Sequence, residues 1–301
     1  MKCNCCCKSE KWTADRIGNL KGKNVVITGG NSGIGYYAAL ELGRAGANVI
    51  IACRDAVRGE SALAELQKQA PGLSLMVESL DLTDLLSVRM FAEKFLGANK
   101  PLDILINNAG IMALPQRELT SDGFEVQFGT NHLGHFALTG LLLPALKRSD
   151  APRVVTVSSG VANMKMAKLD LGNLQSEVSY EPMETYAQSK LANLAFMLEL
   201  GRRYDWLTSV AAHPGATKTN LQKHKFKCLT KLIGQHGAKG ALPTVRAAAD
   251  SVKTGNYYGP SCLQLWGAPV EVPLPEKAQN AALNASLWDE SVRLTKVQYH
   301  F

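Results

Sequence analysis

The sequence predicts an α/β fold in which a doubly wound parallel sheet of roughly seven strands carries helices on both faces. Two observations predict this class. Short runs of β-branched residues alternate with segments of helical periodicity along nearly the whole chain, as they do when each strand of a parallel sheet is followed by a crossover helix. The chain has 301 residues, 46% of them hydrophobic, which is enough to bury such a sheet in one core.

Strands and helices are predicted in alternation. Because no internal repeat or low-complexity linker interrupts the pattern, we assign residues 23–301 to one domain and residues 1–22 to a flexible, polar, cysteine-rich leader. The strand-like runs are residues 25–28, 49–52, 73–77, 104–106, 154–157 and 208–212, with a late strand near 257–263. The helical segments are residues 35–45, 56–69, 87–96, 123–147 and 185–204, with a last helix over 277–293.

Composition and charge argue against two classes of partner. The net charge is +7, but the basic residues are spread along the chain and no aromatic side chains are interleaved with them, so nucleic acid is not expected. No apolar stretch approaches the ~20 residues of a membrane-spanning helix, and the N-terminus lacks the apolar core of a secretory signal. A cytoplasmic location is therefore expected. The basic segment 218–240 is interpreted as either a mobile lid or a solvated surface, and it contains Lys223, Lys225, Lys227 and Lys231.

The leader holds four of the seven cysteines, at Cys3, Cys5, Cys6 and Cys7. No second Cys or His pair lies close by in the sequence, so zinc is not expected there, and no metal is expected elsewhere. Two interpretations of the cluster stay open. It is a reduced, disordered tail, or it is S-acylated and holds the protein at a membrane as a peripheral protein.

The most informative stretch is the glycine-rich turn between the first strand and the first helix. Its glycines follow the β-branched run that ends at Ile27. Such a turn lets a phosphate approach the backbone closely and points the N–H groups of the helix N-terminus at it. The pyrophosphate of a dinucleotide is therefore expected to contact Gly29, Asn31, Ser32, Gly33, Ile34 and Gly35.

The residues after the second and third strands bear on which dinucleotide binds. Folds that prefer NAD place a carboxylate near the end of the second strand, where it binds the ribose 2′-hydroxyl. Arg54 occupies that place here, and a guanidinium suits a 2′-phosphate in charge and geometry. Asp55 is expected to cap the next helix. We therefore predict NADP, with Asp81 and Leu82 beside the adenine; the other interpretation of Asp81 is a helix cap.

A tyrosine and a lysine four residues apart indicate acid–base chemistry. Tyr186 and Lys190 lie near the start of a predicted helix, so they share one helix face. An ammonium beside a phenol favours the phenolate and lowers the pKa of the phenol from its ordinary value of about 10. Tyr186 can then act as an acid or base near neutral pH. The other interpretation of such a pair by itself is a solvated helix face.

Six motifs follow one another along the chain: the turn at 28–35, Asn107-Asn108-Ala109-Gly110, Asn131, Ser159, Tyr186 with Lys190, and Pro214-Gly215. Together they resemble the short-chain dehydrogenase/reductase family, over nearly the whole chain from about residue 21. Three segments, residues 52–55, 131–136 and 213–215, are similar to the retinol-dehydrogenase-like group of that family, most members of which use NADP(H). The resemblance implies a Rossmann fold.

The resemblance also implies a role for each matching residue. Tyr186 exchanges the proton with the substrate oxygen, and Lys190 holds the nicotinamide ribose and depresses the pKa of Tyr186. Ser159 polarises the carbonyl, and Asn131 holds a water that links Lys190 to solvent. His132 and His213 are interpreted as packed histidines, because Tyr186 already fills the acid–base role. Further contacts with the cofactor are expected from Asn108, Ala109, Gly110, Tyr186, Lys190, Pro214, Gly215, Thr217 and Thr219.

The function expected from these residues is the NADP(H)-dependent interconversion of a carbonyl and an alcohol. The substrate is expected to be an apolar ketone or aldehyde bound by residues 160–185 and 218–240, where Met164, Met166, Leu169 and Leu171 suggest an apolar lining. Two alternatives stay open: reduction of a carbon–carbon double bond in a large conjugated substrate, and a non-catalytic NADP-binding sensor or scaffold. As in other family members, a homodimer or homotetramer through helices 123–147 and 185–204 is expected.

Overall fold

The computed structural model describes residues 11–218 and 234–300, and its centre is an eight-stranded sheet in the order β3-β2-β1-β4-β5-β6-β7-β8. Strands β1 to β7 run parallel to their neighbours, and β8 pairs antiparallel with β7. The order reverses between β1 and β4, so the crevice beyond the carboxyl ends of these two strands is where an α/β sheet binds a ligand. The strands are β1 Asn24–Thr28, β2 Asn48–Cys53, β3 Leu75–Ser79, β4 Ile104–Asn107, β5 Arg153–Val157, β6 Thr208–Ala212, β7 Tyr257–Cys262 and β8 Trp266–Glu271.

Helices follow the strands and cover both faces of the sheet. A single π-helical turn, Gly129–Leu133, joins α4 to α5. Short 3-10 turns occur at Ala14–Arg16, Gly160–Asn163 and Glu276–Ala278. The described helices are α1 Gly33–Arg44, α2 Ala56–Gln69, α3 Leu85–Gly97, α4 Val126–Phe128, α5 Gly134–Lys147, α6 Pro182–Arg203, α7 Gly237–Ala249 and α8 Ala281–Thr295.

The β1 strand shows why the sheet is covered on both sides. Val25 and Ile27 face a core that α1, α2 and α7 complete, whereas Val26 faces a second core formed with α3, α5, α6 and α8. Successive residues of a strand point to opposite faces. A strand with no polar position between its apolar ones must therefore be buried on both faces, as the sequence predicts.

The predicted elements are present, with four differences. The sheet has an eighth strand, β8, and helix α7 forms where no helix was predicted. The predicted helix 123–147 is divided by the π turn. The leader was expected to be flexible, but its described part, from residue 11, packs against the domain. Trp12 is buried in the core, and Ile17 and Leu20 pack against the same core.

None of the described helices is both long enough and apolar enough to span a bilayer. The cysteines of the leader, Cys3, Cys5, Cys6 and Cys7, lie outside the described residues, as do Thr219 and the four lysines of the basic segment. The interpretations of these residues stay predictions.

Candidate active site

The glycine turn after β1 forms a cradle for a phosphate group. Gly29 and Gly33 have positive φ angles of 65° and 56°, which glycine adopts at little cost. A Cβ at Gly35 would lie 2.6 Å from both Asn108 Nδ2 and Gly29 O, so a side chain would close the cradle. Ser32 precedes α1 without a side-chain cap, which leaves the N–H groups of the helix N-terminus for an anion. The turn therefore fits a dinucleotide pyrophosphate.

The loops that follow β1 and β4 are joined by Thr28. Its Oγ1 accepts hydrogen bonds from the backbone N–H groups of Asn108 and Ala109, both at 2.9 Å. The side chain of Asn108 returns a hydrogen bond to Thr28 O at 2.7 Å. These contacts fix Asn108 and Ala109 beside the glycine turn, where the sequence expects the cofactor.

Arg54 and Asp81 lie together at the carboxyl ends of β2 and β3. Arg54 Nε is 3.9 Å from Asp81 Oδ2, and the Arg54 side chain is 72% exposed. Asp81 Oδ1 accepts from the backbone and hydroxyl of Thr83, while Asp84 is the N-cap of α3. The helix-cap interpretation of Asp81 is therefore wrong. Leu82 packs its side chain in the core, so only its backbone is available to a ligand.

A second arginine, which the sequence reasoning missed, lies near the glycine turn. A cleft of about 390 Å³ opens between the N-terminus of α1 and one side of α2, and Arg58 lines it with Asn31, Ser32 and Gly33. Asp55 is the N-cap of α2, as predicted, and accepts from the N–H of Arg58. The signal that could have identified Arg58 is its position in the first helical turn after Arg54.

The structure brings Ser159, Tyr186 and Lys190 together at the carboxyl end of β5. Tyr186 and Lys190 are buried on α6, and Lys190 Nζ lies 5.9 Å from the Tyr186 ring centroid. Lys190 Nζ also donates to Val157 O at 3.2 Å. Burial raises the pKa of Tyr186 to about 12, although a hydrogen bond with Ser159 opposes this rise. Burial lowers the pKa of Lys190 to about 8.

These pKa values correct one expectation. The sequence predicted that Lys190 would depress the pKa of Tyr186, but the phenol is so well buried that loss of water dominates and its pKa rises. Burial favours the uncharged form of both Tyr186 and Lys190, because it disfavours the phenolate and the ammonium alike. At neutral pH the Tyr186 phenol is therefore protonated.

Asn131 lies on the π turn, fully buried, and its side chain is committed to the loop after β4. Asn131 Oδ1 accepts from Ile111 N at 2.9 Å, and Nδ2 donates to Ile111 O and to Ser189 Oγ. A Cβ at Gly110 would lie 3.0 Å from Asn131 Oδ1 and 3.3 Å from Lys190 Nζ. Gly110 thus fits between Asn131 and Lys190, and the side chain of Asn131 positions this loop.

The loop after β6 reaches the same end of the sheet. Gly215 has a φ of 65° and donates its N–H to His213 Nδ1 at 3.3 Å. Thr217 Oγ1 donates to Pro214 O at 2.7 Å, so Pro214, Gly215 and Thr217 form one compact turn beside Ser159. Thr219 lies outside the described residues.

Three histidines are buried in this part of the protein, and none is charged at neutral pH. Burial lowers the pKa of His132 to about 3 and those of His135 and His213 to about 4. This agrees with the interpretation of His132 and His213 as packed residues. His135 was not singled out from the sequence. Among the described residues, no group of His, Cys, Asp and Glu is arranged to hold a metal ion.

The sequence was compared with those of known proteins. The profile of the short chain dehydrogenase family matches residues 23–229. Human retinol dehydrogenase 12 is 41% identical over 290 residues, covering 93% of this chain and 88% of the relative. Retinol dehydrogenase 14 from Mus musculus is 46% identical over 298 residues, covering 91% of this chain and 86% of the relative.

The fold was compared with solved structures. The crystal structure of an uncharacterized protein from Mycobacterium paratuberculosis superposes with a TM-score of 0.82 at 40% identity, covering 97% of this chain and all of that one. The match extends over the Rossmann sheet and its helices. Together with the sequence relatives, it shows that the chain belongs to the short-chain dehydrogenase/reductase family and is an oxidoreductase of its retinol-dehydrogenase-like group.

Proposed function

We propose that this oxidoreductase interconverts a carbonyl and an alcohol with NADP(H), and that Tyr186 is the acid–base group. The observation that carries the proposal is that Tyr186 and Lys190 are both buried on α6, with Lys190 Nζ 5.9 Å from the centroid of the Tyr186 ring, and that Ser159 interacts with the Tyr186 phenol. A phenol so placed can exchange one proton with a substrate oxygen in a site that excludes water.

In the reducing direction the chain supplies the proton and the polar contacts. Tyr186 Oη donates its proton to the carbonyl oxygen, and the hydroxyl of Ser159 donates a hydrogen bond to the same oxygen. The Lys190 ammonium stabilises the phenolate that remains on Tyr186 after this transfer. When bound, the nicotinamide supplies the hydride that adds to the carbonyl carbon. Oxidation of an alcohol follows the reverse path.

The preference for NADP(H) over NAD(H) is proposed from two arginines. Arg54 follows β2, and Arg58 in the first turn of α2 lines the cleft beside the glycine turn. Both are proposed to bind the ribose 2′-phosphate. Arginine binds phosphate through paired N–H donors. Asp81 is held near Arg54, so it is also placed to orient the arginine.

An apolar ketone or aldehyde is proposed as substrate from the side chains around the site. Gln264 at the tip of the β7–β8 turn accepts a hydrogen bond from Asn163, which follows the Ser159 loop. The apolar neighbours of this pair are exposed: Leu263 is 79% exposed and Met164 is 50% exposed. Leu169, in contrast, packs against the core. An exposed apolar rim of this kind suits an apolar substrate.

The test compares the wild type with Tyr186→Phe on a panel of apolar aldehydes and ketones. The panel includes retinaldehyde, because two relatives are retinol dehydrogenases by name. Loss of the phenolic proton is expected to lower kcat by about 100-fold to 10,000-fold. NADPH affinity, measured by fluorescence titration, is expected to change little, because the ring and its packing remain.

The products distinguish the proposal from its alternatives. An alcohol product supports carbonyl reduction, and a saturated ketone would show reduction of a carbon–carbon bond. Tight binding of NADPH with no turnover across the panel would indicate a sensor. Full turnover by Tyr186→Phe would overturn the assignment of the acid–base group.

A further inference from the structure

His135 lies at the centre of a buried chain of hydrogen bonds that links the two halves of the candidate site. Its Nε2 is 2.8 Å from Thr28 Oγ1, and its Nδ1 is 3.0 Å from the backbone carbonyl oxygen of Asn131. The side chain is fully buried within the protein, and so is that of Thr28. His135 belongs to the segment 131–136, but the proposed reaction gives this histidine no role.

The partners determine which ring nitrogen of His135 carries the proton. The Asn131 carbonyl can only accept a hydrogen bond, so Nδ1 is protonated. Because burial lowers the pKa of His135 to about 4, the ring is neutral and Nε2 is an acceptor. Thr28 Oγ1 therefore donates to Nε2, which is nearer at 2.8 Å than its other acceptor, Ile106 O, at 3.4 Å. The same oxygen accepts the N–H groups of Asn108 and Ala109. With this assignment, both ring nitrogens of His135 and the hydroxyl of Thr28 have hydrogen-bond partners.

The two ends of this chain lie at functionally different places. The Thr28 end holds Asn108 and Ala109 beside the glycine turn, where the dinucleotide is proposed to bind. The Asn131 end holds the π turn, whose Asn131 side chain fixes Ile111 and lies against Gly110 next to Lys190. A π turn lacks the regular ladder of an α-helix, so an additional hydrogen bond to one of its carbonyls restricts its conformation.

We propose that His135 is a positioning residue that, in its Nδ1–H form, holds the cofactor-side loop through Thr28 and the lysine-side π turn through Asn131. The proposal rests on the proposed function, because its effect on turnover presumes that NADP(H) and Lys190 act as described. Its geometry does not depend on that function and can be tested separately.

His132 provides a matched comparison three residues away. It is also buried, and its Nε2 lies 2.8 Å from Ser291 Oγ on α8. Ser291 Oγ donates to Leu287 O, so it accepts from His132, and Nε2 of His132 carries the proton. The two histidines are therefore expected in opposite tautomers, and His132 contacts α8 instead of the cofactor loops.

Two substitutions each remove one of the two hydrogen bonds of the His135 side chain and keep the other. The amide oxygen of His135→Gln can replace Nε2 as the acceptor for Thr28, but the bond to Asn131 is lost. The amide nitrogen of His135→Asn can replace Nδ1–H as the donor to Asn131, but the bond to Thr28 is lost. Leaving one buried partner unsatisfied is expected to change the affected step by about tenfold.

The kinetic outcomes therefore differ between the variants. His135→Gln is expected to lower kcat about tenfold while the Kd for NADPH stays within about twofold. His135→Asn is expected to raise the Kd for NADPH about tenfold while kcat at saturating NADPH stays within about threefold. His132→Asn is expected to lower stability without either change, since its partner lies on α8.

The experiment combines these kinetics with nitrogen NMR of the imidazole rings in the full-length wild type, assigned with the variants. Protonated Nδ1 in His135 and protonated Nε2 in His132 are expected. A protonated Nε2 in His135, or equal changes in kcat and Kd for both His135 variants, would overturn the proposal. A wild type that has these tautomers but binds neither NADPH nor NADH would instead contradict the proposed function.

Discussion

At the scale of single residues, the ionisation of the Tyr186/Lys190 pair is set by burial. Loss of water raises the pKa of the phenol to about 12 and lowers that of the ammonium to about 8. Both shifts favour the uncharged form of the group, so at neutral pH the Tyr186 phenol keeps its proton. A protonated phenol suits the proposed reduction of a carbonyl.

The proposed preference for NADP(H) rests on two individual arginines, so it can be tested one residue at a time. Arg54→Ala and Arg58→Ala are each expected to weaken NADPH binding about tenfold or more, because each removes a charged hydrogen bond to phosphate. The affinity for NADH should stay within about twofold, since NADH has no 2′-phosphate. Fluorescence titration with both cofactors measures this.

A charge-matched control separates a specific contact from a change in net charge. Arg44 lies on α1 and pairs with Glu41, away from the cleft, so Arg44→Ala should leave both affinities unchanged. Equal losses of NADPH and NADH affinity in the Arg54 and Arg58 variants would show that neither arginine binds the 2′-phosphate.

The glycine cradle gives a second prediction at this scale. A Cβ at Gly35 would lie 2.6 Å from Asn108 Nδ2 and Gly29 O, so Gly35→Ala is expected to cost about 1–3 kcal/mol of the free energy of unfolding and to weaken cofactor binding. Gly97 at the end of α3 has open space around it, and Gly97→Ala should be stabilising by up to about 1 kcal/mol. Urea denaturation of both variants measures the contrast. Equal stabilities would contradict the crowding argument.

At the scale of elements, the C-terminal helix α8 closes one side of the molecule. Trp288 is buried against Phe136 of α5 and Phe196 of α6, with ring centroids 5.0 and 5.9 Å away. Arg203 lies over the same indole at 4.7 Å. After α8, Tyr299 donates a hydrogen bond to Phe136 O at 2.6 Å, so the C-terminal tail after α8 also packs against α5.

Removal of the central side chain of this cover should be strongly destabilising. Trp288→Ala is expected to lower the free energy of unfolding by about 3–5 kcal/mol, because it leaves a cavity among aromatic rings. Trp206, which is only partly buried, serves as the comparison, and Trp206→Ala should cost clearly less. Thermal and urea denaturation measure both. Similar losses would mean that α8 contributes little to the core.

At the scale of the whole molecule, the packing of α8 and the C-terminal tail over α5 and α6 affects the expected oligomeric state. Helices α5 and α6 are almost entirely buried within one chain, and these are the helices through which a homodimer or homotetramer was expected. Because α8 and the tail occupy that face, we expect the protein to be a monomer in solution. Light scattering on the purified chain measures this, and a dimer cross-linked through α5 or α6 would contradict it.

Acid stability is a second property of the whole molecule. Folding lowers the pKa values of His132, His135 and His213 from 6.5 to about 3 or 4. The unfolded chain therefore binds more protons than the folded chain over this range, so stability that is present above about pH 6.5 is lost as the pH falls toward about 4. His132→Asn removes one such group.

The measurement is the free energy of unfolding between pH 6.5 and 5, where few carboxylates titrate. Each buried neutral histidine contributes a slope of up to about 1.4 kcal/mol per pH unit below its unfolded pKa. His132→Asn should be less stable at neutral pH but should lose stability less steeply on acidification. An unchanged slope would show that His132 is not held neutral in the fold.

Particular elements show where prediction from the sequence succeeded and where it did not. The β-branched runs located β1, β2, β4, β5 and β6 because a buried parallel strand requires continuous apolar residues. Helix α7 was missed because Gly237, Gly240 and Pro243 lower its helix propensity. Its packing against α1 supplies the stability that local sequence does not. Strand β8 was missed because Gly267 and Pro269 interrupt its pattern.

The sequence by itself determined the fold class, the glycine turn and the Tyr186/Lys190 spacing, since each follows from short-range periodicity or from residue types at fixed separation. Only the tertiary structure decided which way burial moves the pKa of Tyr186, that Arg58 faces the cleft, that His135 joins Thr28 to Asn131, and that α8 covers α5 and α6. These features depend on contacts between segments distant in sequence, and both desolvation and hydrogen-bond partnership are properties of the packed chain.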